Sequence, residues 1–282
     1  MITCFLMGGL GNQLFQIYST ISIALQNKNL IYFKDDNVLT IGKTRNTYWH
    51  SLLNELKKYL KLEYHSESIL IKEKSFHYNE DFISEIKKHE HLILHGYFQS
   101  FKYFDQYSKL LYRILKIEDK KRVLIKKYNL NESELLETVS IHFRMDDYLL
   151  IQDYHPILKI NYYLNAIEYI HKNDSKIKNA IFFYQKKDYD IVNSYINTIK
   201  SSFTNIKFKL VDYNMDDWEE MLYMSMCKNN IIANSTFSWW GAYLNNQDNN
   251  IVCYPSIWFG IKGPSITDDL FMDEWVKIKA TE

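Results

Sequence analysis

The sequence predicts an α/β fold of two halves, each built on a parallel sheet. Three observations carry that prediction. Apolar runs of four or five residues alternate with stretches whose apolar residues recur at helical spacing, the pattern of strands joined by crossover helices. The alternation opens the chain, loses clarity from about residue 40 to 90, and becomes regular after a break near 130 to 138, which sets halves of 1–135 and 136–282. Only 8 Gly and 3 Pro occur in 282 residues, too few for a turn-rich β-sandwich or a disordered chain.

The first half begins with "ITCFL", a short apolar strand. "MGGLGNQ" interrupts it, and Leu14, Ile17, Tyr18, Ile21 and Leu25 then mark one face of a helix. "LIYF" is the next strand and ends in Asp35 and Asp36, completing a βαβ unit. A helix is predicted near Leu52 to Leu62, a strand over His91 to Phe98, and an exposed helix over Glu118 to Lys127. In the second half the strands are "VSIHF", "AIFFY", "KFKLV", "NIIA" and "IVCYP", the last read as the final strand. Between them lie helices over "NYYLNAIEYIHK", Tyr189 to Ile199, the segment carrying Trp218, Met221, Leu222 and Ser225, and "TFSWWGAYL". "DEWVKIK" is predicted as a closing helix. Parallel sheets of this kind bind ligands at the carboxyl ends of their strands, near helix N-termini.

Composition narrows the function classes. Lys+Arg and Asp+Glu are both 34, and no basic tail or stripe occurs, so nucleic acid is not the expected partner. The cluster "DKKRVLIKK" reads as a solvated helix face. Cys4, Cys227 and Cys253 are odd in number and sit in apolar contexts, as buried free thiols do. No signal peptide and no apolar run of about 18 residues is found, so no membrane anchor is expected. A soluble cytoplasmic protein, at most peripheral to a membrane, is the expectation. Hydrophobic residues at 46% and aromatics at 16% allow a large, aromatic-rich core.

Four stretches bear on chemistry. In "MGGLGNQLFQ", Gly8, Gly9 and Gly11 let the backbone turn and approach a ligand, while Asn12 and Gln13 add amides that a bare turn does not need. A dinucleotide fingerprint would need glycine at Leu14, so only Asp35 speaks for that reading. "IGKT" lacks the first glycine of a phosphate loop, at Asn37. No metal site is expected: His91 and His95 are four apart on a predicted strand, and Asp188 to Asp190 read as acids favoured at a helix start. In "SIHFRMDDY", Arg144 falls at a strand's carboxyl end with His142 on the same side, and its planar fork suits phosphate oxygens. In "NSTFSWWGAYL", Asn234 or Ser235 caps a helix, and the hydroxyls of Ser235, Thr236 and Ser238 are expected to point into one crevice as an anion cradle. Trp239 and Trp240 face the sheet, and Gly241 permits close packing. The sequon at Asn234 lies at a strand end and is not read as a glycosylation site.

Together "GGLGNQLFQ", "GYFQS", "HFRMDDY" and "CKNNIIANSTFSWWGAYLN" resemble glycosyltransferase family eleven, the α-1,2-fucosyltransferases, through most of the chain. The resemblance implies a glycosyltransferase-B fold, two Rossmann-like domains facing across a cleft, with an N-terminal acceptor side and a C-terminal GDP-fucose-binding domain. It implies inversion at the fucose anomeric carbon, no cofactor and no required metal. The implied acceptor is the 2-hydroxyl of a terminal β-galactoside. In that picture Arg144 grips the pyrophosphate and stabilises the charge on departing GDP. Ser235 and Thr236 hold phosphate oxygens, helped by Asn234, Phe237 and Ser238. Asn12 lies beside the fucose, with Gly9, Gly11 and Gln13 shaping the loop.

Two departures from the family pattern bear on the same site. Where the family reads Arg-Gly after Arg144, this chain has Met145 and Asp146. A carboxylate about 6 Å from a phosphate costs roughly 3 kcal/mol at an effective dielectric near 20, so Asp146 must point away or meet a cation. "YQKK" after the next strand offers Lys186 or Lys187 in place of the missing Arg. Asp147 is either the base that takes the acceptor proton or an orienter of His142 or Arg144, and a phosphate oxygen is an alternative proton acceptor. The rival readings are a GDP-sugar transferase of different linkage, a sugar-nucleotide-binding protein without turnover, and a dinucleotide oxidoreductase.

Overall fold

The computed structural model describes residues 1–212 and 214–280. The chain divides into two compact units, Met1–Lys120 with Ile266–Met272, and Lys121–Ser265 with Asp273–Glu282. The division falls earlier than residue 135, and two neighbouring lysines show why. Lys120 pairs with Glu55 of the first unit at 2.5 Å, whereas the buried Lys121 donates to the Leu244 carbonyl at 2.7 Å and to Asn246 Oδ1 at 3.2 Å in the second. The "DKKRVLIKK" face is therefore not wholly solvated. Ile266–Met272 returns to the first unit, where Asp269 accepts from the Tyr78 amide at 3.1 Å and pairs with Lys102.

The first unit runs β1 (Ile2–Cys4), α1 (Leu10–Gln26), β2 (Phe33–Lys34), β3 (Val38–Leu39), β4 (Arg45–Asn46), β5 (Leu60–Lys61), β6 (Ile69–Lys72), α2 (Glu80–Ile86), β7 (Leu92–His95), α3 (Ser108–Ile114) and the start of α4 (Ile117–Lys127). Its sheet is parallel in the order β1-β7-β6; β2 pairs with β5, and β3 and β4 form a small antiparallel hairpin. The helix predicted near Leu52 to Leu62 is instead a 3-10 turn, Asn54–Tyr59, running into β5. Leu52, Leu53 and Leu56 are buried as an amphipathic pattern requires, but Leu62 is exposed, so the apolar face ends before a long helix is set.

The second unit holds α5 (Glu132–Leu135), β8 (Thr138–His142), α6 (Ile160–Asn173), β9 (Asn179–Phe183), α7 (Tyr189–Ser202), β10 (Lys207–Leu210), α8 (Asp217–Met224), β11 (Asn229–Ile231), α9 (Thr236–Tyr243), β12 (Val252–Pro255) and β13 (Val276–Ile278). Its six strands are parallel in the order β10-β9-β8-β11-β12-β13. That is the doubly wound Rossmann order, with its switch point between β8 and β11. β8 and β9 are buried along their whole length, as central parallel strands must be. "DEWVKIK" is not a helix: Val276 to Ile278 extend beside β12, so β12 is not the last strand. The segment is too short for its own periodicity to decide, and an open sheet edge decides it.

Candidate active site

In the second unit the switch point places Arg144 just past β8 and the turn Asn234–Thr236 just past β11. The sheet forces this, because β8 and β11 are neighbours with Ile231 level with Ile141. Two contacts fasten the ends together. Tyr148 Oη donates to the Asn234 carbonyl at 3.1 Å, and the His142 ring packs on Phe237 with centroids 5.5 Å apart. The Arg144 guanidinium lies 5.0 Å over the Tyr148 ring. One tyrosine thus carries the arginine on its face and holds the start of α9 with its hydroxyl.

His142 is buried, and its Nδ1 has no hydrogen-bond partner among the described residues. Burial, then the Arg144 charge, pushes its pKa down to about 3, so the ring is neutral at working pH. It supplies shape and an open nitrogen rather than charge. Asp147 accepts from Arg144 Nη2 at 2.5 Å, which fixes the guanidinium and occupies that carboxylate. Asp146 lies 3.9 Å from the same nitrogen and is itself paired with Lys187. The Gln185 amide, turned with its oxygen toward Arg144, accepts from Nη1 at 2.9 Å and donates to Asp146 at 3.2 Å. The buried Asp188 carboxylate accepts from the Asp146 amide at 3.2 Å, so it serves this turn and makes no capping hydrogen bond at the start of α7. Met145 is fully buried in the apolar core of the unit, where an arginine could not follow without losing its water.

The hydroxyl cradle differs from the expectation. Ser235 is the N-cap of α9, accepting from the Phe237 amide at 3.4 Å, and Thr236 opens the helix half-buried. Ser238 Oγ turns inward instead, accepting from the Ala233 amide at 3.2 Å and reaching the Ser235 carbonyl at 3.3 Å. It closes the turn and does not face a ligand. Asn234 is also buried, its Nδ2 donating to the Pro156 carbonyl at 2.8 Å and the Trp258 carbonyl at 3.2 Å. That bracing explains the sequon without glycosylation. Trp239 and Trp240 are fully buried, and a Cβ on Gly241 would stand 3.1 Å from Met224 Cβ on α8.

The glycine loop of the first unit is built as tightly. Gly8 has φ +75°, and a Cβ there would meet Asn12 Nδ2 at 2.5 Å, so geometry and space both demand glycine. Gly9 is the N-cap of α1, and Gly11 lies buried in its first turn. Asn12 Oδ1 accepts from Gln99 Nε2 at 3.0 Å. Gln13, fully buried, donates from Nε2 to the Gly8 carbonyl at 3.0 Å and the Asn46 carbonyl at 2.9 Å. It braces the loop against the β3–β4 hairpin. Gln16 Oε1 accepts from the Met7 amide at 3.0 Å.

Sequence reasoning passed over Tyr148 and Gln185 as site residues. Tyr148 ends "HFRMDDY" beside Asp147, and Gln185 lies in "YQKK" beside Lys186. Lys186 is exposed, and Lys187 is the lysine that meets Asp146. Elsewhere, His65, Glu67 and His91 bring possible ligand atoms within 4.8 Å of one another. The two imidazoles stack face to face at 3.9 Å and 14°, which does not aim their lone pairs at one point. No helix among the described residues is long and apolar enough to cross a membrane.

The sequence pattern of Glycosyl transferase family 11 matches residues 1–279. An O-antigen biosynthesis glycosyltransferase, WbnK, of Escherichia coli is 27% identical across 99% of this chain and 100% of its own. An alpha-1,2-colitosyltransferase of E. coli is 30% identical over 65% of this chain and 61% of its own, and a galactoside 2-alpha-L-fucosyltransferase of Caenorhabditis elegans 25% identical over 99% and 79%. Among solved structures, E. coli ADP-heptose lipopolysaccharide heptosyltransferase II superposes with a TM-score of 0.53 at 10% identity, covering 98% of this chain and 89% of that one. The fold is of the glycosyltransferase-B type, and the chain belongs to glycosyltransferase family 11.

Proposed function

We propose that the protein transfers L-fucose from GDP-fucose, with inversion, to the 2-hydroxyl of a terminal β-galactoside. One observation carries the reading: Arg144 at the end of β8 is fastened through Tyr148 to the carbonyl of Asn234, directly before the cap of α9. A guanidinium and a helix N-terminus set side by side suit a diphosphate. Arg144 neutralises the charge on departing GDP, Ser235 and Thr236 receive phosphate oxygens, and Phe237 with His142 walls the site. Lys187 neutralises Asp146, so that carboxylate does not oppose the diphosphate. Asp147, held by Arg144, orients it.

The departures at 145 and 146 do not argue for a protein that binds without turnover. Met145 is absorbed by the core, and Asp146 is matched by Lys187 and Gln185. The α-1,2 linkage draws support from the two relatives whose names carry it. No metal is needed in this scheme, since protein cations take the diphosphate charge. Three buried free thiols fit a cytoplasmic location.

The test is GDP release, with linkage analysis of the product. GDP should appear when GDP-fucose and a β-galactoside are both present, with EDTA making no difference. Arg144→Ala should lower kcat by about 10²–10³. Turnover of GDP-colitose but not GDP-fucose would reassign the donor, and a product linked elsewhere than at the 2-hydroxyl would reassign the linkage.

A further inference from the structure

His155 lies on the loop that joins β8 to α6. Its imidazole stacks on the Tyr148 ring, with centroids 4.6 Å apart and planes at 19°, and the Phe259 ring packs on it at 5.4 Å and 53°. Phe259 belongs to the loop after β12, and the backbones of the two loops are joined. The Gly260 amide donates to the Tyr154 carbonyl and the Lys262 amide to the Asp153 carbonyl, each at 2.9 Å. The loops approach so closely that a Cβ on Gly260 would stand 2.3 Å from the Asp153 carbonyl oxygen. Their next residues, Pro156 and Trp258, give their carbonyls to Asn234 Nδ2. His155 thus packs against the ring that carries Arg144, within the loop pair that braces the start of α9.

We propose that His155 is a positioning residue for the diphosphate: its neutral imidazole backs Tyr148, so that Arg144 and the Asn234–Thr236 turn keep their places, and proton uptake on the ring loosens the grip on the donor. The inference deepens the proposed function and rests on it. A neutral imidazole offers the tyrosine a flat face to stack on. An imidazolium would bring a second cation to a ring that already lies under a guanidinium. It would also need an acceptor for each nitrogen, and the buried Nδ1 has no partner among the described residues.

The charges around His155 act in both directions. Burial is the largest influence and pushes its pKa below the usual value of 6.5; Asp147 raises it and Arg144 lowers it. Asp147 is already held by Arg144, and Asp153 of the same loop is paired with Lys262 of the other at 2.8 Å. The ring is therefore neutral at neutral pH and takes its proton in the acid range. His142, held at about 3, stays outside that range.

The experiment follows GDP binding to the full chain by calorimetry at pH 7.5 and 5.5, with GDP-fucose turnover alongside. His155→Ala, which removes the ring, should weaken GDP binding about three- to tenfold at pH 7.5 and raise the GDP-fucose KM to match. His155→Phe, which keeps a flat ring but takes no proton, should recover most of that loss. At pH 5.5 the unaltered protein should bind GDP more weakly by about threefold or more beyond any change in His155→Phe. The terminal phosphate of GDP titrates near about pH 6, so the difference between the two proteins is the readout. Thermal melting at both pH values identifies a variant that fails to fold. Unchanged GDP binding by folded His155→Ala at pH 7.5, or equal acid weakening in His155→Phe and the unaltered protein, overturns the inference and leaves the function standing. The expected pattern of GDP binding with no fucose transfer by the unaltered protein supports the inference and overturns the function. Absence of GDP binding by the unaltered protein overturns both.

Discussion

Asp146 replaces the glycine of the family pattern that the sequence resembles, and its backbone lies in the left-handed region at φ +34°. A side chain there is strained unless its surroundings hold it. Lys187, Gln185 and the Asp188 carboxylate do so. Lys187→Ala should therefore expose the diphosphate to an uncompensated carboxylate. The GDP-fucose KM should rise by about three- to tenfold, below the roughly 3 kcal/mol limit because the pair is partly solvated. Asp146→Gly in the same chain should restore it. A double variant no better than Lys187→Ala would show that the lysine acts on the donor directly. The sequence could name a lysine pair but not choose within it. Both fall in one 3-10 turn, Lys186–Asp188, and their directions depend on how that turn meets Asp146.

The joints between elements set the site. Tyr148→Phe removes the hydroxyl bond to Asn234 and keeps the ring beneath Arg144. Stability should fall by about 1 kcal/mol in urea melts, with a rise in the GDP-fucose KM, while the circular dichroism spectrum is unchanged. An unaltered KM would mean that α9 holds its place without this tie. Helix α9 also depends on α8. Gly241→Val pushes two methyls toward Met224 and should cost about 1–3 kcal/mol. The motif around Ser235 was legible because three hydroxyls beside two tryptophans are not needed by a plain helix start. Their division of labour was not. Ser235 caps, Ser238 closes the turn and Thr236 opens the helix, because hydroxyl direction follows a rotamer set by packing neighbours.

The chain as a whole carries opposed titrations. Burial holds His142 down at about 3, below its unfolded value near 6.5. The stability it contributes is present above pH 6.5 and is lost as pH falls toward 3. Burial, then Asp217, lifts Glu220 on α8 to about 8, and burial lifts Glu73 to about 7. Their contribution is complete below about 4.5 and is lost as pH rises through those values. Glu220→Gln should thus stabilise the protein by about 1–3 kcal/mol at pH 8 and by much less at pH 5, read from urea melts at both. An equal gain at the two pH values would mean that Glu220 does not titrate in that window.

Residue type and spacing were enough to set the parallel sheet of the second unit, the glycine loop, Arg144 at a strand end and the capped start of α9. Each depends on local period, on backbone freedom at Gly8, or on the rule that strand–helix–strand crossovers turn one way. Tertiary contacts decided the rest. "DEWVKIK" became a strand because β12 offered an open edge, Lys121 turned inward because unpaired carbonyls waited at Leu244 and Ser225, and Ile266–Met272 joined the first unit through Asp269. In each case a partner distant along the chain supplied the missing hydrogen bond or charge, and no local pattern records where such a partner stands.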